Sequence, residues 1–131
     1  MEQKKIILLV DDEFIILHSL KIQLERLLAD QYILETASSG EEAFELLDEF
    51  HANNNHVFLV VSDYNLEDMK GTQILAHAIN LFPDVKKVIL SGQLEEPEIK
   101  KFDAQYKFDL KLEKPWNIYQ LIDLINSNKK N

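Results

Sequence analysis

Asp11-Asp12-Glu13, Ser62-Asp63, Ser91-Gly92 and Lys114-Pro115 each stand at or just past the end of an apolar stretch. Carboxylates gathered at one place repel one another and raise each other's pKa unless a cation neutralises them. A hard divalent ion would do so. Mg²⁺ takes a near-octahedral set of oxygens, usually one or two carboxylates with waters and a phosphate oxygen, and Asp12 and Asp63 with Asp11 in support would match it. A carboxylate that is to be phosphorylated needs that ion to screen the incoming charge. It also needs a hydroxyl or amide to contact the phosphoryl oxygens and a cation to balance them. Asp63 as acceptor, with Ser91 and Lys114 as helpers, would supply all three roles.

Taken singly, each residue has a plainer reading. Asp11 and Asp12 could cap a helix, where Asp is favoured by the orphan N–H groups and the macrodipole. Asp63 and Ser91 could each start a turn, and Lys114 could be a solvated surface lysine. What favours the chemical reading is their joint placement at strand ends.

The elements that must place them follow from the apolar pattern. Ile6 to Val10 and Val57 to Val61 are uninterrupted and rich in β-branched residues, as strands covered on both faces should be, and Val88-Ile89-Leu90 is a shorter run of the same kind. Tyr32 to Thr36 and Phe108 to Leu112 carry charges at intervals, as edge strands should. Between them lie helical stripes: Ile16, Leu20, Leu24, Leu27 and Leu28; Ala43, Phe44, Leu47 and Phe50; Ile74, Leu75, Ala78, Ile79 and Phe82; and Ile118, Leu121, Ile122 and Ile125. Glu95 to Phe102 is the least patterned helix, with Pro97 suited to a first helical position. Strands alternating with helices of this length imply an α/β, doubly wound, five-stranded parallel sheet. The flavodoxin-like order 2-1-3-4-5 is expected, because it puts the two interrupted strands at the edges. In such a sheet, functional groups gather beyond the carboxyl ends near the reversal of strand order, which is where the polar residues above fall.

The chain has 131 residues, the size of one domain. The absence of cysteine excludes disulfides and thiolate chemistry. The first apolar run is too short for a signal-peptide core or a membrane span, so the chain is read as cytoplasmic, with no membrane partner. Fourteen basic against 23 acidic residues give a net charge of −9, which opposes direct nucleic-acid binding.

With these residues in place, the chain resembles the receiver domain of bacterial two-component response regulators. In that family an acidic pair follows the first strand, an Asp the third, a Ser or Thr the fourth and a Lys-Pro the fifth. Here they are Asp11 and Asp12, Asp63, Ser91, and Lys114 with Pro115. The resemblance implies a receiver over residues 1–127, followed by a polar tail at 128–131. It implies that Asp12 and Asp63 ligate Mg²⁺ together with the backbone carbonyl of Asn65. It also implies that Asp63 takes its phosphoryl group from a histidine of a sensor kinase or phosphotransfer protein, and that an output domain or downstream protein reads the result. A cis Lys114–Pro115 bond is expected on the same ground. Lys114-Pro115-Trp116-Asn117 further resembles receivers attached to phosphohydrolase-like output domains.

Two departures stand out. The family's D-x-x-x-P-x-x-x-G stretch reads Asp63-Tyr64-Asn65-Leu66-Glu67-Asp68-Met69-Lys70-Gly71, keeping the glycine and losing the proline, so a freer loop is expected. The aromatic that usually stands three residues before the lysine is Lys111, which should stay outward, with Glu95 or Glu96 as acidic neighbours it could pair with. Two alternatives compete: a receiver-like module that signals without phosphorylation, and an aspartyl-phosphate phosphohydrolase. The latter usually has an Asp-x-Asp pair after the first strand, and a chain of 131 residues leaves no room for a substrate-selecting cap.

Overall fold

A computed structural model describes residues 3–127. The elements run β1 (Lys5–Val10), α1 (Phe14–Leu28), β2 (Tyr32–Ala37), α2 (Gly40–Ala52), β3 (Val57–Asp63), α3 (Gly71–Leu81), β4 (Lys86–Ser91), α4 (Pro97–Tyr106), β5 (Leu110–Glu113) and α5 (Ile118–Ser127). All strand pairs are parallel and the sheet order is β2-β1-β3-β4-β5. This is the expected doubly wound, flavodoxin-like α/β fold. The segment 128–131 lies outside the described residues.

Successive residues of a strand face opposite sides of the sheet, and the uninterrupted runs serve two cores. Ile6, Leu8 and Val10 join the core under α2, α3 and α4, with Leu47, Ile74, Leu75 and Ile99. Ile7 and Leu9 join the core under α1 and α5, with Leu20, Leu24, Leu121 and Ile125. Between Ile6 and Ile7 the register against β3 shifts from Val57 to Leu59. Phe58 and Leu59 therefore both serve the α1–α5 side.

The structure moves several expected boundaries. β4 begins at Lys86, ahead of the apolar Val88-Ile89-Leu90, because main-chain pairing with β3 continues through two lysines. β5 begins at Leu110, not Phe108; the Phe108 ring stacks on Phe102 of α4 instead of joining the sheet. α4 begins at Pro97 as its first helical residue. Among the described residues no helix is long and apolar enough to cross a membrane.

Candidate functional site

Parallel pairing aligns the carboxyl ends of β1, β3, β4 and β5 on one rim. Asp11 follows β1, anchored by its N–H to the Ala37 carbonyl at 3.2 Å. Asp63 closes β3, opposite Leu90, and Ser91 closes β4 one residue further along. The Lys114 N–H donates to the Ser91 carbonyl at 2.9 Å, which seats the lysine just past β5 beside β4. The Lys114–Pro115 bond is cis.

From that seat Lys114 Nζ reaches Asp63 Oδ1 at 2.8 Å, Asp11 Oδ2 at 3.6 Å and Glu13 Oε1 at 3.9 Å. Asp11, Asp12 and Asp63 each bring a carboxylate oxygen to within 4.8 Å of the others'. Asp11 is fully buried and Asp63 nearly so. Burial pushes the Asp11 carboxyl up to about 6, against the opposing hydrogen bond from the Glu13 amide. Burial also raises Asp63, with Lys114 pulling the other way. For Lys114, burial works against the charge, yet the hydrogen bond to Asp63 and the charges of Asp11, Asp63 and Glu13 outweigh it and raise its pKa.

Whether this cluster suits a divalent ion can be judged from its unmet valences. Asp11 Oδ2 is buried and has no hydrogen-bond partner, the Lys114 ammonium at 3.6 Å being too distant to supply one. Such an oxygen is costly in a dry site unless a cation meets it. The donors are all hard oxygens, the kind Mg²⁺ takes. Asn65 bridges to Lys70 across the β3–α3 loop, and its carbonyl accepts no backbone hydrogen bond among the described residues. The residues present therefore fit a hard divalent ion.

Of the plainer roles, the turns at Asp11 and Ser91 are realised, whereas α1 has no side-chain cap at its N-cap residue, Glu13, and Lys114 is paired with carboxylates. Asp11 Oδ1 accepts from the Glu13 N–H at 2.8 Å in a local turn, and Ser91 Oγ accepts from the Gln93 N–H at 3.0 Å. Ser91 Oγ thus faces its own loop in this state. Lys111 is outward as expected, but its partner is Asp103 of α4 at 3.2 Å; Glu95 pairs instead with Lys100.

The β3–α3 loop differs from expectation. Lacking proline, it is nonetheless tied down. Asp68 accepts from the Gly40 and Glu41 amides at 3.0 and 2.9 Å, capping α2, and the Leu66 N–H meets the Met69 carbonyl at 3.2 Å. Gly71 closes the loop against β3 so tightly that a Cβ there would lie 2.2 Å from the Asp63 carbonyl oxygen. Only glycine allows that approach. One tie reaches the site itself: the Glu67 N–H donates to Asp12 Oδ2 at 2.8 Å. No side-chain pattern announces it, since the donor is main chain and depends only on residue 67 not being proline.

The model of the response regulator receiver domain family matches residues 7–126. The chain belongs to that family. Among curated proteins, this receiver is 32% identical over 120 residues to the transcriptional regulatory protein GlrR of Escherichia coli, covering 89% of this chain and 25% of that protein. It is 33% identical over 90 residues to the sensor kinase CckA of Brucella abortus, covering 69% of this chain and 9% of that protein. The chain therefore spans a quarter or less of the curated relatives it matches. Among solved structures, a CheY-like receiver domain protein from Methanospirillum hungatei superposes with a TM-score of 0.78 at 30% identity, over 96% of this chain and 94% of that one. The signal receiver domain of an HD domain-containing protein from Pseudomonas fluorescens gives 0.75 at 26% identity, over 95% and 94%. Phosphorylation on Asp and Mg²⁺ binding are characteristic of receivers of two-component systems.

Proposed function

We propose that this receiver takes a phosphoryl group on Asp63 from the phosphohistidine of a sensor kinase or phosphotransfer protein, in a Mg²⁺-dependent reaction. The observation that carries the reading is the Lys114 ammonium 2.8 Å from Asp63 Oδ1, inside a ring of carboxylates with one orphaned oxygen.

An Asp63 carboxylate oxygen attacks phosphorus, and the bond from phosphorus to the donor's imidazole nitrogen breaks with its electron pair leaving on the imidazole. Lys114 holds Asp63 by Oδ1, orienting the carboxylate and countering the charge that accumulates on the phosphoryl oxygens. Ser91 supplies a hydroxyl to one of those oxygens once it turns from Gln93. Asp11, Asp12, Asp63 and the Asn65 carbonyl would hold the Mg²⁺, which when bound would screen the carboxylates from the incoming phosphate. The receiver occupies residues 1–127. It works in the cytoplasm, and its output lies in an attached domain or a separate partner. Its excess of acidic residues turns it away from direct contact with nucleic acid.

Incubation with Mg²⁺ and acetyl phosphate should add the mass of one phosphoryl group to the intact protein. Asp63→Asn should add none while keeping the fold, because Asn preserves shape without the nucleophilic charge. Labelling of the variant would move the acceptor elsewhere. Failure of the wild type to label would point to a module that signals unphosphorylated, and steady release of phosphate from generic esters would point to a hydrolase.

A further inference from the structure

Among the described residues, Asp12 is the one carboxylate of the cluster held by a main-chain amide of a different loop. Its Oδ2 accepts the 2.8 Å hydrogen bond from the Glu67 main-chain amide, joining the turn after β1 to the loop after β3. A proline at position 67, where the family's motif usually has one, would have no N–H to give. The substitution that removes a rigid residue therefore adds a donor aimed at the acidic cluster.

We infer that the Glu67 amide is a positioning group for the ion site: it holds Asp12 by one oxygen and leaves Oδ1 to the metal. The inference rests on the reading of Asp11, Asp12 and Asp63 as that site. The donor is itself held from both sides. Asp68, the next residue, is fixed by two hydrogen bonds to the α2 N-terminus, and the Gly71 N–H closes the loop on the Tyr64 carbonyl at 2.7 Å. The Glu67 side chain is exposed and takes no part. A carboxylate fixed in this way loses less rotamer freedom when the ion arrives, and an N–H donor to a charged oxygen is among the stronger hydrogen bonds. Outer groups that orient ligating side chains commonly change metal affinity by about 10- to 100-fold when removed.

The test compares wild type, Glu67→Ala, which keeps the N–H, and Glu67→Pro, which deletes it. Mg²⁺ alone is titrated into the unphosphorylated proteins by calorimetry. Glu67→Ala should match wild type, and Glu67→Pro should bind about ten-fold more weakly. Acetyl phosphate labelling of Glu67→Pro should need more Mg²⁺ for half its maximal rate while approaching the wild-type rate at saturation. A general distortion of the loop would depress the rate at saturation as well. Because proline also restricts Leu66, amide exchange offers a second reading: the Glu67 N–H should be protected in wild type and lose that protection in Asp12→Ala. Equal Mg²⁺ affinity in the alanine and proline variants, or unchanged Glu67 exchange in Asp12→Ala, overturns the inference alone. A wild type that binds no Mg²⁺ overturns the ion-site reading together with it.

Discussion

At the scale of single residues, the site is a balance between burial and charge, and Asp11 shows it most plainly. Its carboxyl stands at about 6, raised above the ordinary 3.8 chiefly by burial. A carboxyl raised on folding stabilises the native state when protonated. That contribution is complete below the unfolded pKa and is lost as pH climbs through about 6. The rise corresponds to about 3 kcal/mol at most. Asp63 shifts the same way, whereas Lys114 shifts upward and stays charged throughout. With a chelator present, the urea midpoint should therefore fall between roughly pH 4 and 6.5, and Mg²⁺ should reduce the fall by favouring the ionised carboxylates. Asp11→Asn should flatten the chelated profile. A wild-type midpoint independent of pH in that window, without divalent ions, would contradict this balance. The identities of these residues were legible in the sequence because carboxylates, a hydroxyl and an ammonium at successive strand ends have few joint explanations. The Glu67 amide was not, because main-chain donors carry no residue signature.

At the scale of elements, strands were read most reliably where they are covered on both faces. Burial alone selected Ile6 to Val10 and Val57 to Val61, and both lie within strands of the sheet. Boundaries failed where main-chain pairing outruns side-chain pattern, as in Lys86-Lys87 of β4, or where an apolar ring serves a helix instead of the sheet, as Phe108 does. The β3–α3 loop departs from its sequence pattern for a related reason. Losing proline suggested freedom, but Asp68 reaches across to the first two amides of α2 and holds the loop there. Those two amides also keep the Asp68 carboxyl below the usual range. Asp68→Ala should thus act as the loss of a helix cap, costing about 1 kcal/mol of global stability. It should also raise amide exchange in both the α2 first turn and the 64–71 segment. Increased exchange in α2 alone would mean that the loop holds itself.

At the scale of the whole molecule, the phosphorylation proposed at Asp63 would have to reach the α4–β5 side with no aromatic at position 111. Lys111 is held outward by Asp103, whose other oxygen accepts the Phe108 N–H at 3.0 Å, so α4, the chain leading into β5, and β5 share one anchor. Drawing the ammonium inward would break that pair and desolvate a charge, which costs several kcal/mol without a buried partner. A contact that could change at lower cost lies at Ser91. Ser91 Oγ accepts from the Gln93 amide at 3.0 Å, and a hydroxyl turned toward a phosphoryl group on Asp63 cannot keep that bond. Gln93 opens the loop that leads through Glu96 to Pro97, the first residue of α4, and the same loop borders an open hollow of about 570 Å³ together with Glu113 of β5. A ligand moves a two-state equilibrium only through contacts that differ between the states, and the Ser91–Gln93 bond is such a contact. Beryllofluoride with Mg²⁺, which mimics the phosphoryl group, should therefore speed exchange at the Gln93 amide and shift the resonances of the Gly92 to Pro97 segment. The Lys111–Asp103 pair should stay intact. Ser91→Ala should show fast Gln93 exchange before any beryllofluoride is added and little further change after it. If Lys111 turns inward in the activated form, or if the Gly92 to Pro97 segment is unchanged by beryllofluoride, the signal takes another route.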